Sequence, residues 1–560
     1  MTVTTESTDS HPLFTAHEKT LRQALDTIWR RGFWSAYPES PSPRVYGETA
    51  AADGKAAFEA YLGADFPLEA AGGRVATERS PYGIELGVRY PHTDADTLVA
   101  NAAGVLPAWR DAGIEARVGV CLEILARVHA HVFELANAVQ FTTGQAFVMA
   151  FQAGGANALD RGLEAVAYAY AAMTRHPATA YWEKPAGKRP PLTMTKTFHV
   201  VPRGVALVVG CNTFPTWNGY PGLFASLATG NPVIVKPHPG AVLPLAVTVR
   251  YAREVLAEHG FDANVVQLAA EEPGEGLAST LATRPEVRIV DFTGSTAYGD
   301  WLEGNARQAL VYTEKAGVNT VVVDSTGDFA GMCANIAFSL TLYSGQMCTT
   351  PQNILVPAGG IETDQGHKSL AEVGDGIAAA IGKLTDDPAR GVELTGAIVN
   401  DAVLARLGEA ADVGGPVLDS RVVEHPGFPA AVVRTPLVRR LTAADTEAYG
   451  REWFGPVSFV VATASTEESL AVFERVVTER GALTASVYST AEPVLAAAER
   501  AALNAGVHLS ANLTDGVYVN QSAAFSDFHA TGANPAANAC LTDDAYVAGR
   551  FRVVQSRRPV

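Results

Sequence analysis

Hydrophobic positions in the first third of the chain repeat at helical spacing. Leu21, Leu25, Ile28 and Trp29 share one face, and Thr15-Ala16-His17-Glu18 ahead of them has the form of a capping box. The prolines between Ser35 and Pro43 break that helix, and residues 51–62 carry a second short one. Residues 1–12 show no pattern and are expected to be unstructured. Phe33, Trp34 and Tyr37, in the proline-rich break, are expected to pack onto the body rather than touch a substrate. From Asp94 the helical rhythm returns. Val118, Cys121, Leu122, Leu125, Val128, Val132 and Leu135 make one buried stripe, so Cys121 reads as structural. Thr142-Thr143-Gly144 ends it, glycine being free to take the left-handed stop, and residues 156–173 form the next helical segment.

In the middle of the chain the rhythm changes to short continuous apolar runs. These are 204–210, 232–237, 265–268 and 288–292, with a helix around 220–229 between the first two. Such runs alternating with helices predict a doubly wound parallel sheet, whose ligands bind past the carboxyl ends of the strands. The loops 210–218, 236–240 and 293–299 lie there. A second α/β unit begins at 318–324. It continues through helix 328–343, strand 353–356, helix 367–383, a loop-rich stretch 391–419, a strand near 431–434, strands 457–462 and 483–488, and helix 491–505.

Two further segments are rich in β-formers without a clean apolar face, 193–200 and the basic 549–560. They are predicted to pair in an oligomerisation layer. The expected organisation is an N-terminal extension (1–75), a parallel-sheet cofactor domain (76–184 and 204–314), a small β arm (185–203 and 540–560) and an α/β catalytic domain (315–539).

Composition narrows the partners. A formal net charge of −17 disfavours nucleic acid and anionic membrane. Five cysteines, Cys121, Cys211, Cys333, Cys348 and Cys540, form no C-x-x-C pair, which points to a reducing compartment and at most one reactive thiol. The N-terminus has no basic or apolar leader region, and no apolar run approaches the roughly 20 residues of a membrane span, so a cytoplasmic protein is expected. The 13 histidines form no H-x-x-x-H or H-E-x-x-H, so no metal site is expected. Gly366-His367-Lys368-Ser369 resembles a phosphate loop only superficially.

Candidate chemistry centres on Ser344-Gly345-Gln346-Met347-Cys348-Thr349-Thr350. A tight Gly-Gln turn there would leave the Cys348 sulfur on a cleft floor as a nucleophile; the competing reading is a small buried hydrophobe. Glu314 ends a β-rich stretch beside Gly317, at a domain junction where its carboxylate could reach a cleft.

These features, with others in order along the chain, resemble the aldehyde dehydrogenase superfamily. The matching marks are Pro202-x-Gly204-Val205, Phe214-Pro215, Gly230-Asn231-Pro232-Val233-Ile234-Val235-Lys236-Pro237, Phe292-Thr293-Gly294-Ser295-Thr296, Glu314, Gly345-Gln346-x-Cys348-Thr349 and Glu452-x-Phe454-Gly455-Pro456. Within it the chain is most similar to the PaaN-type phenylacetate-degradation branch, and more distantly to the dehydrogenase half of PaaZ-type enzymes. The extension 38–48 and the short Glu314-to-Asn319 spacing carry that finer match.

The resemblance implies an aldehyde-dehydrogenase-like α/β fold and nicotinamide-dependent oxidation of an aldehyde, with a homodimer or homotetramer. Cys348 would add to the carbonyl, and Glu314 would activate the water that hydrolyses the thioester. Lys236 would bind the adenosine ribose, Gly294 and Ser295 the pyrophosphate, and Glu452 the nicotinamide ribose, with Phe454 packed beside it. The family's acid after the lysine is missing from Lys236-Pro237-His238-Pro239, so NADP is expected over NAD, with His238 able to add attraction. The oxyanion donor falls on Asn212 or Thr213; Asn212 is preferred as an amide. Near the C-terminus Phe525, Phe528 and His529 replace the usual glycine-rich closing motif. The substrate implied is a coenzyme A-linked semialdehyde from phenylacetate ring cleavage, with a separate ring-opening hydratase as partner. Alternatives are a coenzyme A-acylating enzyme, a silent binding or assembly subunit, and redox-free thioester hydrolysis by Cys348.

Overall fold

The computed structural model describes residues 11–69, 72–315, 317–519 and 524–560. Residues 1–10, part of the segment expected to be unstructured, lie outside them. The cofactor sheet has five parallel strands in the order Val266–Leu268, Val233–Lys236, Val205–Val209, Val287–Gly294, Leu310–Lys315. Its first strand in sequence is central. The chain winds outward from Val205–Val209 on one side, then returns to pair Val287–Gly294 on the other. The loops after these strands therefore part above Val209, and a crevice opens there. Helices Pro215–Ala228 and Leu243–Glu258 cover one face, and their apolar side chains share a core with Ala206, Val208, Val233 and Val235.

The catalytic sheet has seven strands, ordered Gly415–Leu418, Leu437–Thr442, Val457–Thr463, Asn353–Pro357, Thr320–Val323, Thr484–Tyr488, His508–Ala511. All pair in parallel except the edge strand Gly415–Leu418. Here the sequence reading needs correction. Residues 391–419 are not mainly loop: they hold part of helix Pro388–Thr395, helix Asp401–Ala410 and that edge strand. Each helix is started by a local side-chain cap, Asp387 or Asn400. Residues 431–434 form no strand; Arg434 makes an isolated bridge to Val422. The phosphate-loop look-alike is an exposed hairpin, Ile361–Thr363 with Gly366–Lys368.

The N-terminal helix runs Pro12–Arg30, with Pro12 in its first turn and no side-chain cap, so Thr15 does not open a capping box. Leu13, Phe14, Leu21 and Ile28 belong to the same core as the helices of residues 114–173. The extension thus packs on those helices and shares their core.

The arm is a three-stranded antiparallel sheet, Phe551–Pro559, Arg189–Pro202, Thr179–Ala186. The predicted pairing forms, from Phe551 opposite Pro202 to Pro559 opposite Met194. The arm begins at Thr179, ahead of the boundary read from the sequence. Arg550, just before the last strand, is fully buried. Its guanidinium reaches Asp291 of the cofactor sheet at 2.5 and 2.8 Å and lies 4.1 Å from the Tyr546 ring centroid, while the Tyr546 hydroxyl donates to Asp291 at 2.6 Å. Arg550→Met strands the Asp291 carboxylate in the core. It is expected to cost about 4 kcal/mol, seen as a lower thermal midpoint that Asp291→Leu in the same chain partly restores. No helix among the described residues is long and apolar enough to cross a membrane.

Candidate active site

Two cavities meet at Cys348. One, of about 560 Å³, lies over the carboxyl ends of the cofactor strands and is lined by Lys236, Glu271, Gly294, Ser295, Glu452 and Phe454, among others. The other, of about 530 Å³, runs toward the N-terminal extension, with Phe33, Trp34, Trp217, Phe338, Tyr518 and His529 in its wall. Phe214, Asn218 and Cys348 line both. Phe33 and Trp34 border this tunnel, which corrects the expectation for them: Trp34 also packs on Phe525, whereas Phe33 is largely exposed. Tyr37 is buried.

The sulfur is placed by a strained loop. Helix Phe329–Thr341 runs into Tyr343, Ser344 and Gly345, which take φ values of 49°, 50° and 64° in succession. Two left-handed non-glycine residues cost on the order of 1–2 kcal/mol each. Buried amides hold them. Gln346 donates to the carbonyls of Tyr343 and Ala397 and accepts from the Val399 N–H. Asn319 donates to the carbonyls of Cys348 and Thr350 and accepts from the N–H groups of Leu483 and Thr484, tying the loop to the catalytic sheet. Gly345 must be glycine on two counts: its φ is +64°, and a Cβ would sit 2.5 Å from the Gly455 carbonyl oxygen.

Glu314 is buried on the edge strand Leu310–Lys315. Its Oε1 accepts from Asn218 at 3.0 Å and contacts His529 Nε2 at 2.9 Å. Its Oε2 is buried and has no hydrogen-bond partner among the described residues. Burial raises the carboxyl, but the charge and hydrogen bond of His529, with Arg161 behind, outweigh it and hold Glu314 below its ordinary value. The Cys348 thiol moves the other way: burial, then the Glu314 charge, push it well up. His529 Nε2 lies 3.5 Å from Cys348 Sγ. The donor atoms of Glu314, Cys348 and His529 fall within 4.8 Å of one another, close enough to share a metal ion, where sequence spacing pointed to none. An ion there would occupy the nucleophile itself.

At the far end of the wide cavity Lys236 forms a buried ion pair with Glu271, which follows the strand Val266–Leu268. Lys236 thus has a carboxylate partner although none follows it directly in the sequence. His238 adds no charge: its Nδ1 accepts from the Gly240 N–H at 3.0 Å, which requires a neutral ring. Gly294 ends its strand and Ser295 caps helix Thr296–Asn305, so the start of that helix borders the cavity. Glu452 is half-buried near Arg406, and the loss of surrounding water raises its carboxyl to about 7. Arg406 donates to the Phe454 carbonyl at 2.8 Å, fixing that corner.

Asn212 and Thr213 both line the wide cavity. Asn212 accepts from Asn400 at 3.1 Å, and the Thr213 carbonyl accepts from Gln145 at 2.7 Å. The amide that reaches the Glu314 carboxylate is Asn218, one turn into helix Pro215–Ala228. Sequence reasoning missed Asn218, Glu271 and the contact of His529 with Cys348. A polar side chain on the otherwise apolar start of a helix was the available signal for Asn218; Glu271 and His529 carried none.

The aldehyde dehydrogenase family model matches residues 88–532. An NAD-dependent aldehyde dehydrogenase from Burkholderia multivorans is 61% identical, covers 98% of this chain and 99% of its own, and superposes with a TM-score of 0.97. The N-succinylglutamate 5-semialdehyde dehydrogenase of Pseudomonas fluorescens is 26% identical over 67% of this chain and 73% of its own length. Other curated relatives are matched over about half their length: 52% of the aldehyde dehydrogenase LUC3 from Fusarium sp, at 28% identity over 47% of this chain. A 1-pyrroline-5-carboxylate dehydrogenase from Thermus shares the fold at 20% identity and a TM-score of 0.70, over 94% of this chain and 99% of that one.

Proposed function

We propose a function from one premise: the chain belongs to the aldehyde dehydrogenase family. It oxidises an aldehyde to the carboxylic acid at Cys348, with a nicotinamide dinucleotide as the electron acceptor. The observation that carries this is the position of Cys348 where two cavities join, with Glu314 beside it. The donor set of the wide cavity fits a dinucleotide: a lysine–carboxylate pair at one end, a helix start in the middle, and Glu452 at the other. When bound, the nicotinamide supplies the two-electron acceptor. The protein does the rest. Cys348 adds to the carbonyl arriving through the tunnel. The Cys348 N–H and the Asn218 amide meet the developing oxyanion. Glu314 Oε2 takes a proton from the water that releases the acid from sulfur. That step favours hydrolysis over acyl transfer to coenzyme A, which needs no water activator.

NAD is the preferred acceptor. Glu271 can accept from the ribose 2′-hydroxyl, and a 2′-phosphate would meet its carboxylate in a site already balanced by Lys236. Glu271→Gln is expected to move the NADP-to-NAD ratio of kcat/KM up by about 10- to 100-fold, roughly 1.4–2.7 kcal/mol. A ratio that stays put would show that Glu271 does not choose the cofactor. Lys236 itself is pulled below its ordinary value by burial, against the Glu271 pair, so a bare carboxylate-free site would hold it less firmly charged.

The tunnel supports an apolar, aryl-sized aldehyde, given Phe33, Trp34, Trp217, Phe338 and Tyr518 in its wall. A phenylacetate-derived semialdehyde, once its ring is cleaved, is an open chain, and the tunnel wall would favour it only through its apolar carbons. Glu39 and Glu393 at the rim oppose a polyphosphate carrier, so the coenzyme A link is the weaker half of that reading. A panel pairing free aryl and alkyl aldehydes with coenzyme A-linked semialdehydes, each with both nicotinamides, decides it: faster turnover of the linked forms would overturn the preference for the free ones. The β arm, with both edges open to pairing, is the surface on which homo-oligomers would assemble.

A further inference from the structure

One wall of the tunnel that ends at Cys348 is built into the core, and another is tied on. The built-in wall carries Gln152, Ala153 and Asn157, from a π-helical turn, Gln152–Ala156, and the start of helix Asn157–Met173. The Gly154 carbonyl in that turn accepts from Thr216 at 2.7 Å, next to Trp217 in helix Pro215–Ala228. This side cannot move without the helices it belongs to. The tied-on wall is Phe33, Trp34 and Ser35, in a strap with no helix or strand of its own. Arg31, at φ 53°, closes helix Pro12–Arg30 with a left-handed turn, and the strap starts there. Such a segment is held only by what its side chains and single N–H groups reach. The central tie is Asp160. It is buried, borders the tunnel and has no arginine of its own: Arg31 and Arg161 both turn to Glu164, each at 3.3 Å. Both of its oxygens go to the strap, one accepting from the Ser35 hydroxyl and the other from the Ala36 N–H at 2.9 Å. A buried carboxylate without a cation is costly, but hydrogen bonds to an ionised acceptor are the strong kind. What the arrangement secures is a firm hold on two consecutive strap residues. The residues ahead of them are held less. Trp34 packs on Phe525 at 5.1 Å between centroids and stays partly exposed, and Phe33 stands largely in solvent.

We propose that Asp160 is a positioning residue that sets the width of aldehyde the enzyme accepts, by clamping Ser35 and Ala36 so that Trp34 and Phe33 stay in place opposite the fixed wall. This rests on the reading of the tunnel as the aldehyde's path to Cys348. A slim tail, a chain or one flat ring, passes between the two walls. A tail that branches where it meets the strap is turned away, because widening there requires Ser35 and the Ala36 N–H to leave the carboxylate. The sulfur and Glu314 stand outside this device, so it acts on which aldehyde arrives and not on the bond-breaking steps.

The test uses aldehydes in pairs, unbranched chains of graded length that end in one phenyl ring or in two on the same carbon. The quantity read is the ratio of kcat/KM for the two-ring member to that for the one-ring member. In the wild type the two-ring member should fall behind once its end reaches the strap. Asp160→Ala, which takes the acceptor from Ser35 and from the Ala36 N–H, should raise the ratio about 10-fold at those lengths. Asp160→Asn should keep it near wild type, since the amide can accept from the Ala36 N–H and donate to the Ser35 hydroxyl. A general loss of packing would slow both members alike and leave the ratio where it was. Hydrogen exchange over residues 33–37 reads the tie directly, and the Ala36 N–H should exchange faster in Asp160→Ala than in Asp160→Asn. Unchanged exchange in Asp160→Ala would show that the carboxylate does not hold the strap. Faster exchange with an unchanged ratio would show that the strap does not set the width. Either result overturns the proposal. Should Asp160→Ala fail to fold, Trp34→Ala on the strap itself takes its place, and a ratio that does not rise overturns the proposal in the same way. Cys348→Ala separates the two claims. If it keeps oxidising aldehydes, the reading of the site fails. If it is dead while the ratio is the same in all the Asp160 proteins, only the role of Asp160 falls.

Discussion

Cys348→Ala should eliminate aldehyde oxidation, with kcat down by at least about 10⁴-fold. The argument is one of replaceability. Among the described residues the other cysteines are buried, and Cys211, which also lines the wide cavity, has a thiol that burial pushes up to about 11. Cys211 is also engaged locally, accepting from the Phe214 N–H, so it cannot swing into service. The alanine should fit without strain, because the loop is held by Gln346 and Asn319 rather than by the sulfur. Melting temperature and dinucleotide binding should therefore stay near wild type while reduced nicotinamide ceases to form. Residual turnover above about 1% of wild type would mean that carbonyl oxidation here does not pass through sulfur.

Glu314→Gln should stall the second half of the cycle rather than the first. Acylation needs the sulfur; release of the acid needs a base for water. The variant should give a burst of about one reduced nicotinamide per site, followed by steady turnover slowed by about 10²- to 10³-fold. Mass spectrometry of the quenched protein should find the acyl group on Cys348. An absent burst with equally slow turnover would place Glu314 in acylation instead. The pH dependence has a definite sign. Glu314 is held below its ordinary 4.5, so its basic form is complete at neutrality, and wild-type deacylation should lose rate only on the acid side of that value. The same depression makes Glu314 a contributor to stability above its unfolded-state pKa, a contribution lost as pH falls through the folded one.

Cys348, Glu314, Lys236, Gly294, Ser295, Glu452 and Phe454, which all line the wide cavity, could be singled out because each sits in a short run whose composition is dictated locally. Gly345 needs a left-handed backbone close to Gly455, Ser295 starts a helix, and Lys236 ends a buried strand. Residues that act across the fold left no such mark. Glu271 pairs with Lys236 from the loop after a neighbouring strand, and no local pattern announces that two strand ends will bring them together. His529 meets Cys348 and Glu314 through contacts 181 and 215 residues apart along the chain. Asn218 was within reach of the reading, as a polar side chain near the start of a mostly apolar helix. The same contrast holds for the fold. Apolar runs such as 204–210 announced the parallel strands. Helix Asp401–Ala410 was hidden because the surrounding glycines and prolines outweigh a modest apolar face, and its cap Asn400 is visible mainly in hindsight.

The N-terminal segment that borders the tunnel is fastened at points remote from the sulfur. Ser35 and the Ala36 N–H are held by Asp160, Arg31 by Glu164 and Tyr168, and Trp34 packs on Phe525. Where the tunnel is the path of the aldehyde, selectivity and chemistry are housed in separate stretches of polypeptide. An ancestor could exchange one aldehyde for another by revising a terminal strap of a few side chains, while the machinery that breaks the C–H bond passed on unaltered.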